Sequence, residues 1–196
     1  MPSLIRNCLL AAAMAWAASG ETIRVTATSS NVFSPDTVTA KQGDSIEFHF
    51  QAGNHSVVSG VYENPCTPMP LGSGFFSGFM PVQGSGETGK VFRVTVNNAD
   101  PIPFYSSQGD ECPHGMVGII NPNGERTLDK YRDQAKSLSR AVSPSSNSYG
   151  GDLAENSDPS VQRNPDGTVR AAASGPAVPV AALAAAGGLA VLAVLW

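Results

Sequence analysis

Side chains able to do chemistry are scarce in this 196-residue chain: three histidines, His49, His55 and His114, and three cysteines, Cys8, Cys66 and Cys112. No Ser–His–Asp or Cys–His order stands out among them, so an enzyme is not expected. Asn54-His55-Ser56 is the one N-glycosylation sequon with an allowed middle residue, which makes Asn54 a candidate glycan carrier.

The cysteines are sorted by compartment. Arg6 precedes an apolar run from Cys8 to Ala18, and the small residues Ala18, Ser19 and Gly20 offer a cleavage point before Glu21. Residues 1–20 therefore read as a secretion signal, too short to span a bilayer comfortably. Cys8 would leave with it. An even pair in an oxidising compartment is most simply one disulfide, Cys66–Cys112, with two free thiols as the alternative. Closing a loop of about 46 residues would stabilise the fold by on the order of 4 kcal/mol in the chain-entropy account.

The elements that must position these groups are β-strands. Charged residues make up 14% of the chain, with 20 Gly and 15 Pro, a composition that suits a turn-rich β domain. Ile23, Val25 and Ala27 alternate with polar residues, as do Ile46, Phe48 and Phe50, and again Phe92, Val94 and Val96. Gly43-Asp44, Gly53-Asn54 and Asn97-Asn98 read as turns between such runs. The pattern predicts an all-β sandwich over 21–123. That segment holds nine acidic and four basic residues, which argues against a nucleic-acid partner. His49 falls on the outward face of its strand and reads as a surface residue. Phe75, Phe76, Phe79 and Met80 lie in a Pro- and Gly-rich interruption from 63 to 89 and read as loop residues packed on the sandwich.

Leu128, Tyr131, Ala135, Leu138 and Val142 recur at spacings of three and four, predicting one amphipathic helix within 124–142. Residues 143–170 are rich in Ser, Asn, Asp, Gly and Pro and read as a solvated stalk. Small residues 171–175 followed by an apolar tail, together 171–196, match a glycolipid (GPI) anchor signal, with Ser174 the expected attachment residue. The rival is a transmembrane helix over 177–196, Ala-rich and without a following Lys or Arg.

Several motifs together carry a resemblance. Phe33-Ser-Pro-Asp-Thr-Val38, Gly43-Asp44 leading into Ile46-Glu-Phe-His-Phe50, Asn54-His-Ser-Val57, Asn64-Pro-Cys-Thr-Pro68, Phe104-Tyr105, Cys112 and Gly115-Met116 follow in order. In that order they resemble the fungal GPI-anchored extracellular serine-rich proteins with a plastocyanin- or phytocyanin-like domain. The resemblance implies a Greek-key sandwich of cupredoxin type and extends over about 23–142. It also implies where copper ligands would stand: His55, Ser106, Glu111 and Met116. The family places His, Cys, His and Met there, so two of four ligands are substituted while the spacing 106–111–116 is kept. Cys112 sits where the family has its disulfide partner.

A blue-copper centre needs a soft thiolate, two imidazoles and a weak axial thioether. Ser106 offers a protonated hydroxyl and Glu111 a hard carboxylate, so loss of reversible electron transfer is expected and no cofactor is expected. The rival reading is a weak Cu(II) site on His55 and Glu111, with His114 reaching in, since Cu(II) accepts imidazole and carboxylate donors. Without copper, Met116 simply fills core space. A copper-dependent polysaccharide-oxidising enzyme would need an N-terminal His, whereas the mature chain is expected to begin near Gly20 or Glu21. The function expected is a non-redox module at the outer leaflet of the plasma membrane. Its expected ligand is a cell-wall glycan or a protein.

Overall fold

The structure, a computed structural model, describes residues 20–70, 72–145 and 147–157. The signal, most of the stalk, the anchor signal and Ser174 lie outside the described residues. Among the described residues, eleven strands form two sheets and one helix accompanies them. The first sheet holds β1 (Thr22–Ala27), β2 (Phe33–Ser34), β4 (Ser45–His55), β8 (Lys90–Thr95) and β11 (Asp152–Glu155), in the order β11-β8-β4-β1-β2. A further strand, β7 (Met80–Glu87), pairs with the far end of β4. The second sheet runs β3 (Thr37–Val38), β10 (Val117–Ile120), β9 (Ile102–Tyr105), β5 (Val58–Val61) and β6 (Asn64–Pro68).

The period-two runs explain the layering. Val25, Ala27, Ile46, Phe48, Phe50, Phe92 and Val94 turn one face of the first sheet inward, against Phe104, Ile120 and Val38 of the second. The rings of Phe33 and Phe48 meet Phe104 edge-on at centroid distances of 5.0 and 5.3 Å. The second sheet is buried on its outer face as well. There Tyr105, Val117 and Ile119 pack against α1 (Leu128–Ala135) through Leu128, Tyr131 and Ala135. Thr127 caps that helix, its side chain accepting from the Lys130 amide.

The disulfide forms between Cys66 and Cys112, both buried, with Cα atoms 5.8 Å apart. It ties β6 to the 106–116 loop beneath the helix. The Tyr131 hydroxyl accepts from the Cys66 amide at 3.3 Å, and the Tyr105 hydroxyl donates to the Val142 carbonyl at 2.7 Å. Burial pushes the pKa of both phenols upward, and the Tyr105 hydroxyl keeps the proton that its bond to Val142 requires.

Five expectations need correction. The helix ends at Ala135, and Leu138 and Val142 are exposed, because the chain turns after Lys136 and carries the next apolar positions off the helix face. The segment from 143 is not wholly a stalk: Asp152–Glu155 pairs antiparallel with β8, and Tyr149 bonds to Phe76 through paired backbone hydrogen bonds of 2.9 Å. Gly53-Asn54 is not a turn, since β4 continues to His55 across a register shift between Gln51 and Gly53. His49 is only 3% exposed, its ring held between the Glu47 side chain of its own strand and Glu87 of β7. Phe75 and Phe76 are packed, but Phe79 remains 44% exposed.

Replacing both Cys66 and Cys112 by Ser releases the 46-residue loop. The expected loss, read by chemical denaturation, is about 2–5 kcal/mol.

Candidate functional site

The residues named from the sequence do converge. His55 ends β4, opposite Met80 of β7. Ser106 follows β9 directly, and Glu111 and Met116 close the loop that leads into β10. Backbone bonds fix this loop: the Ser106 amide donates to the Met116 carbonyl at 3.1 Å, and the Met116 amide donates to the Glu111 carbonyl at 2.9 Å. His55, Ser106 and Met116 are buried, and the Glu111 side chain is 12% exposed.

At the centre stands the Glu111 carboxylate. Both its oxygens lie 3.1 Å from His55 Nδ1, and Ser106 Oγ donates to Oε2 at 2.6 Å. Ser106 Oγ in turn accepts from the Ser56 amide at 3.2 Å. The other imidazole nitrogen, Nε2, faces the Ala52 carbonyl at 3.3 Å. Both ring nitrogens thus face acceptor oxygens. Gly53 lies so close above the ring (φ +133°) that a Cβ there would fall 2.4 Å from Nε2.

These side chains serve one another's hydrogen bonds and do not fit a blue-copper centre. Ser106 is a neutral oxygen whose proton is committed to Glu111, and Glu111 is committed to His55. Nor is this a hydrolytic triad: histidine does not reach the serine, which is wholly buried. Met116 lies in the main core cluster, as a gap-filling residue would. His114 does not join the site. Its side chain is 74% exposed, and Nδ1 stands 2.9 Å from the Asp110 carbonyl. Among the described residues, no group of three or more His, Cys, Asp or Glu side chains is arranged to hold a metal ion. Asn54 is exposed on β4, its amide 3.4 Å from Gln108 Oε1, whereas His55 and Ser56 of the sequon are buried.

A second ionic cluster escaped sequence reasoning. His49 Nε2 lies 2.8 Å from Glu47 Oε1, and Nδ1 lies 3.1 Å from Glu87 Oε2. Arg93 Nε donates to Glu47 at 2.6 Å, Arg24 pairs with Glu87, and Asn156 Nδ2 donates to Glu87 at 3.4 Å. One signal for it was present: Arg24, Glu47 and Arg93 are register partners on adjacent strands, so their charges fall in one row. Burial tends to raise the pKa of Glu87. The hydrogen bond from His49 and the charge of Arg24 outweigh it, leaving the group below its ordinary value of 4.5.

No family model matches the sequence. Over 142 residues it is 34% identical to a protein of Arthroderma benhamiae named extracellular serine-rich protein, across 71% of this chain and 54% of the relative. A second protein of that organism, named probable GPI-anchored cupredoxin-1, is 29% identical over 142 residues, across 71% of this chain and 72% of the relative. The chain thus spans about half the length of the first relative. These are the kinds of protein to which the ordered motifs point. Similar solved structures include reduced auracyanin from Roseiflexus castenholzii, with TM-score 0.37 and 16% identity, covering 52% of this chain and 96% of that one. A mutant fern plastocyanin gives TM-score 0.32 and 18% identity, covering 50% and 96%.

Two predictions follow from the geometry. Glu111→Ala strips the acceptor from a buried imidazole and a buried hydroxyl and is expected to cost about 3–5 kcal/mol in chemical denaturation. Glu111→Gln, which keeps an acceptor oxygen, is expected to cost less. A carboxylate held below its unfolded value contributes stability that is fully present above pH 4.5 and is lost as pH falls through the folded value. Glu87→Gln should therefore flatten the acid limb of the stability–pH curve below that point while lowering stability at neutral pH.

Proposed function

We propose that this chain is a cell-surface, non-redox cupredoxin-like module that acts by contact in the cell wall or matrix. The observation that carries the reading is the Glu111 carboxylate, hydrogen-bonded to His55 at 3.1 Å and to Ser106 at 2.6 Å, where a copper centre would need imidazole and thiolate. The imidazole is paired with a carboxylate, and neither Ser106 nor Glu111 offers a soft sulfur anion to move an electron. The names of the relatives, one extracellular and one GPI-anchored, support an extracellular place and a lipid anchor. In this reading Ser174 carries the anchor and the Ser-rich segment after the described domain acts as the stalk. A glycan on Asn54 would stand beside His55 and shield that end of the sandwich from a docking redox partner. A glycan or a protein of the wall is the partner that such an architecture suits.

A second reading is favoured by one specific contact. Imidazole and carboxylate already lie within 3.1 Å of each other, a pair that Cu(II) accepts in non-blue sites. Titration with Cu(II), repeated on His55→Ala, separates the two. Micromolar binding that disappears with the substitution supports a copper-handling protein; its absence supports the contact module.

The leading reading also makes a constructive prediction. Ser106→Cys combined with Glu111→His supplies the missing thiolate and second imidazole alongside His55 and Met116. On addition of Cu(II) this double variant is expected to develop an intense thiolate–copper absorption band that the parent chain lacks. The same band in the parent would refute the reading.

A further inference from the structure

The segment from Tyr149 to Asn156 returns to the first sheet and completes its edge. We propose that the edge of β8 is a strand-exchange site whose partner is this same segment from a second copy of the chain.

The segment binds largely through its backbone. Three of the four residues of β11 are exposed, among them Leu153 at 45%. Docking is nonetheless specific. The register sets Asp152 opposite Arg93 and Glu155 opposite Lys90, placing acidic residues against basic ones. Gly150 (φ +70°) and Gly151 approach so closely that a Cβ would fall 2.1 Å from the Gly74 carbonyl oxygen and 2.5 Å from that of Arg93. Asn156, 2% exposed, hooks the end of the strand. Its amide donates to the Gly89 carbonyl at 2.8 Å and its side chain to the Thr88 carbonyl at 3.2 Å. An edge shaped this closely to one sequence is best filled by that sequence, in its own chain or in another.

The connection to the rest of the domain is loose. Firm attachment ends at Val142 and Ser143: the Val142 amide donates to the Cys66 carbonyl at 2.8 Å, and Ser107 Oγ donates to Ser143 Oγ at 3.1 Å. It resumes at Tyr149 with the two bonds to Phe76. Between these points, Pro144, Ser145, Asn147 and Ser148 border a space of about 450 Å³ that separates them from Phe79 and Met80. Every contact that holds 149–156 therefore lies on the far side of a short, weakly packed connection. All of those contacts can be remade identically on the edge of a neighbour, which is the low-cost route to a symmetric dimer. Local opening of a short edge strand needs only a fraction of the global unfolding free energy.

Two single variants of the full chain, Lys90→Cys and Glu155→Cys, test this when co-expressed with different epitope tags. Neither can form the cross-strand disulfide within itself, whereas the two together can form it only if the strand of one lies on the edge of the other. The expected result on non-reducing gels is a covalent dimer carrying both tags, at least fivefold more abundant than the self-dimers of either variant alone. Adding Ala154→Pro to the Glu155→Cys chain, which spoils strand pairing, should abolish it. The double variant in one chain reports the register by forming an intrachain bond. A two-tag dimer no more abundant than the self-dimers, while the double variant closes internally, overturns the proposal. A two-tag dimer that survives Ala154→Pro overturns it equally.

Discussion

The five-stranded sheet is buried on both faces, and this constraint governs the rest of the molecule. Phe104 and Ile120 face the sandwich core, whereas their neighbours Tyr105 and Ile119 face the helix. A sheet with two apolar faces cannot stand at the surface of a two-layer sandwich, so a third layer must be held in place. The helix is only eight residues long and could not be stable alone. The Tyr131 hydroxyl ties it to the Cys66 amide of β6, and the Cys66–Cys112 bond carries that attachment to the loop that bears Ser106, Glu111 and Met116. Scaffold and candidate site are therefore one construction.

Much of the sandwich was legible because one physical rule wrote it. Alternation in Ile46–Phe50 and Phe92–Val96 specifies a strand with one buried face, and those residues do line the core. The rule fails where the second face is covered by something distant in sequence. Alternation left His49 outward, where Glu47 and the distant Glu87 of β7 close around its ring. Likewise nothing local marks Asp152–Glu155 as a strand: it is short, polar and preceded by two glycines, and its structure comes from an open edge that accepts it. The helix was read too long because Leu138 and Val142 continue the spacing of apolar residues after the chain has already turned away.

The candidate site was legible in its positions but not in its bonding. Sequence alone offered His55, Ser106, Glu111 and Met116 as four places around a metal. The structure shows the first three as a closed hydrogen-bonded set, with Met116 contributing its backbone to the loop and its side chain to the core. The Ser106, Glu111 and His55 side chains answer one another's hydrogen bonds. The His49 cluster shows the same economy on the opposite face, where two buried carboxylates are each answered by an arginine and by one side of an imidazole.

The even spacing of Ser106, Glu111 and Met116 deserves a separate thought. Residues 106 and 116 are joined through their main chains, and 116 is joined to 111 in the same way. Such a ring of amide–carbonyl links counts residues as strictly as any coordinated ion does, because inserting or deleting one would misalign every link after it. A stretch of polypeptide can therefore hold such an interval through its own main chain. In a chain of this kind, interval by itself is testimony about folding; only the identity of the donor atoms speaks about chemistry.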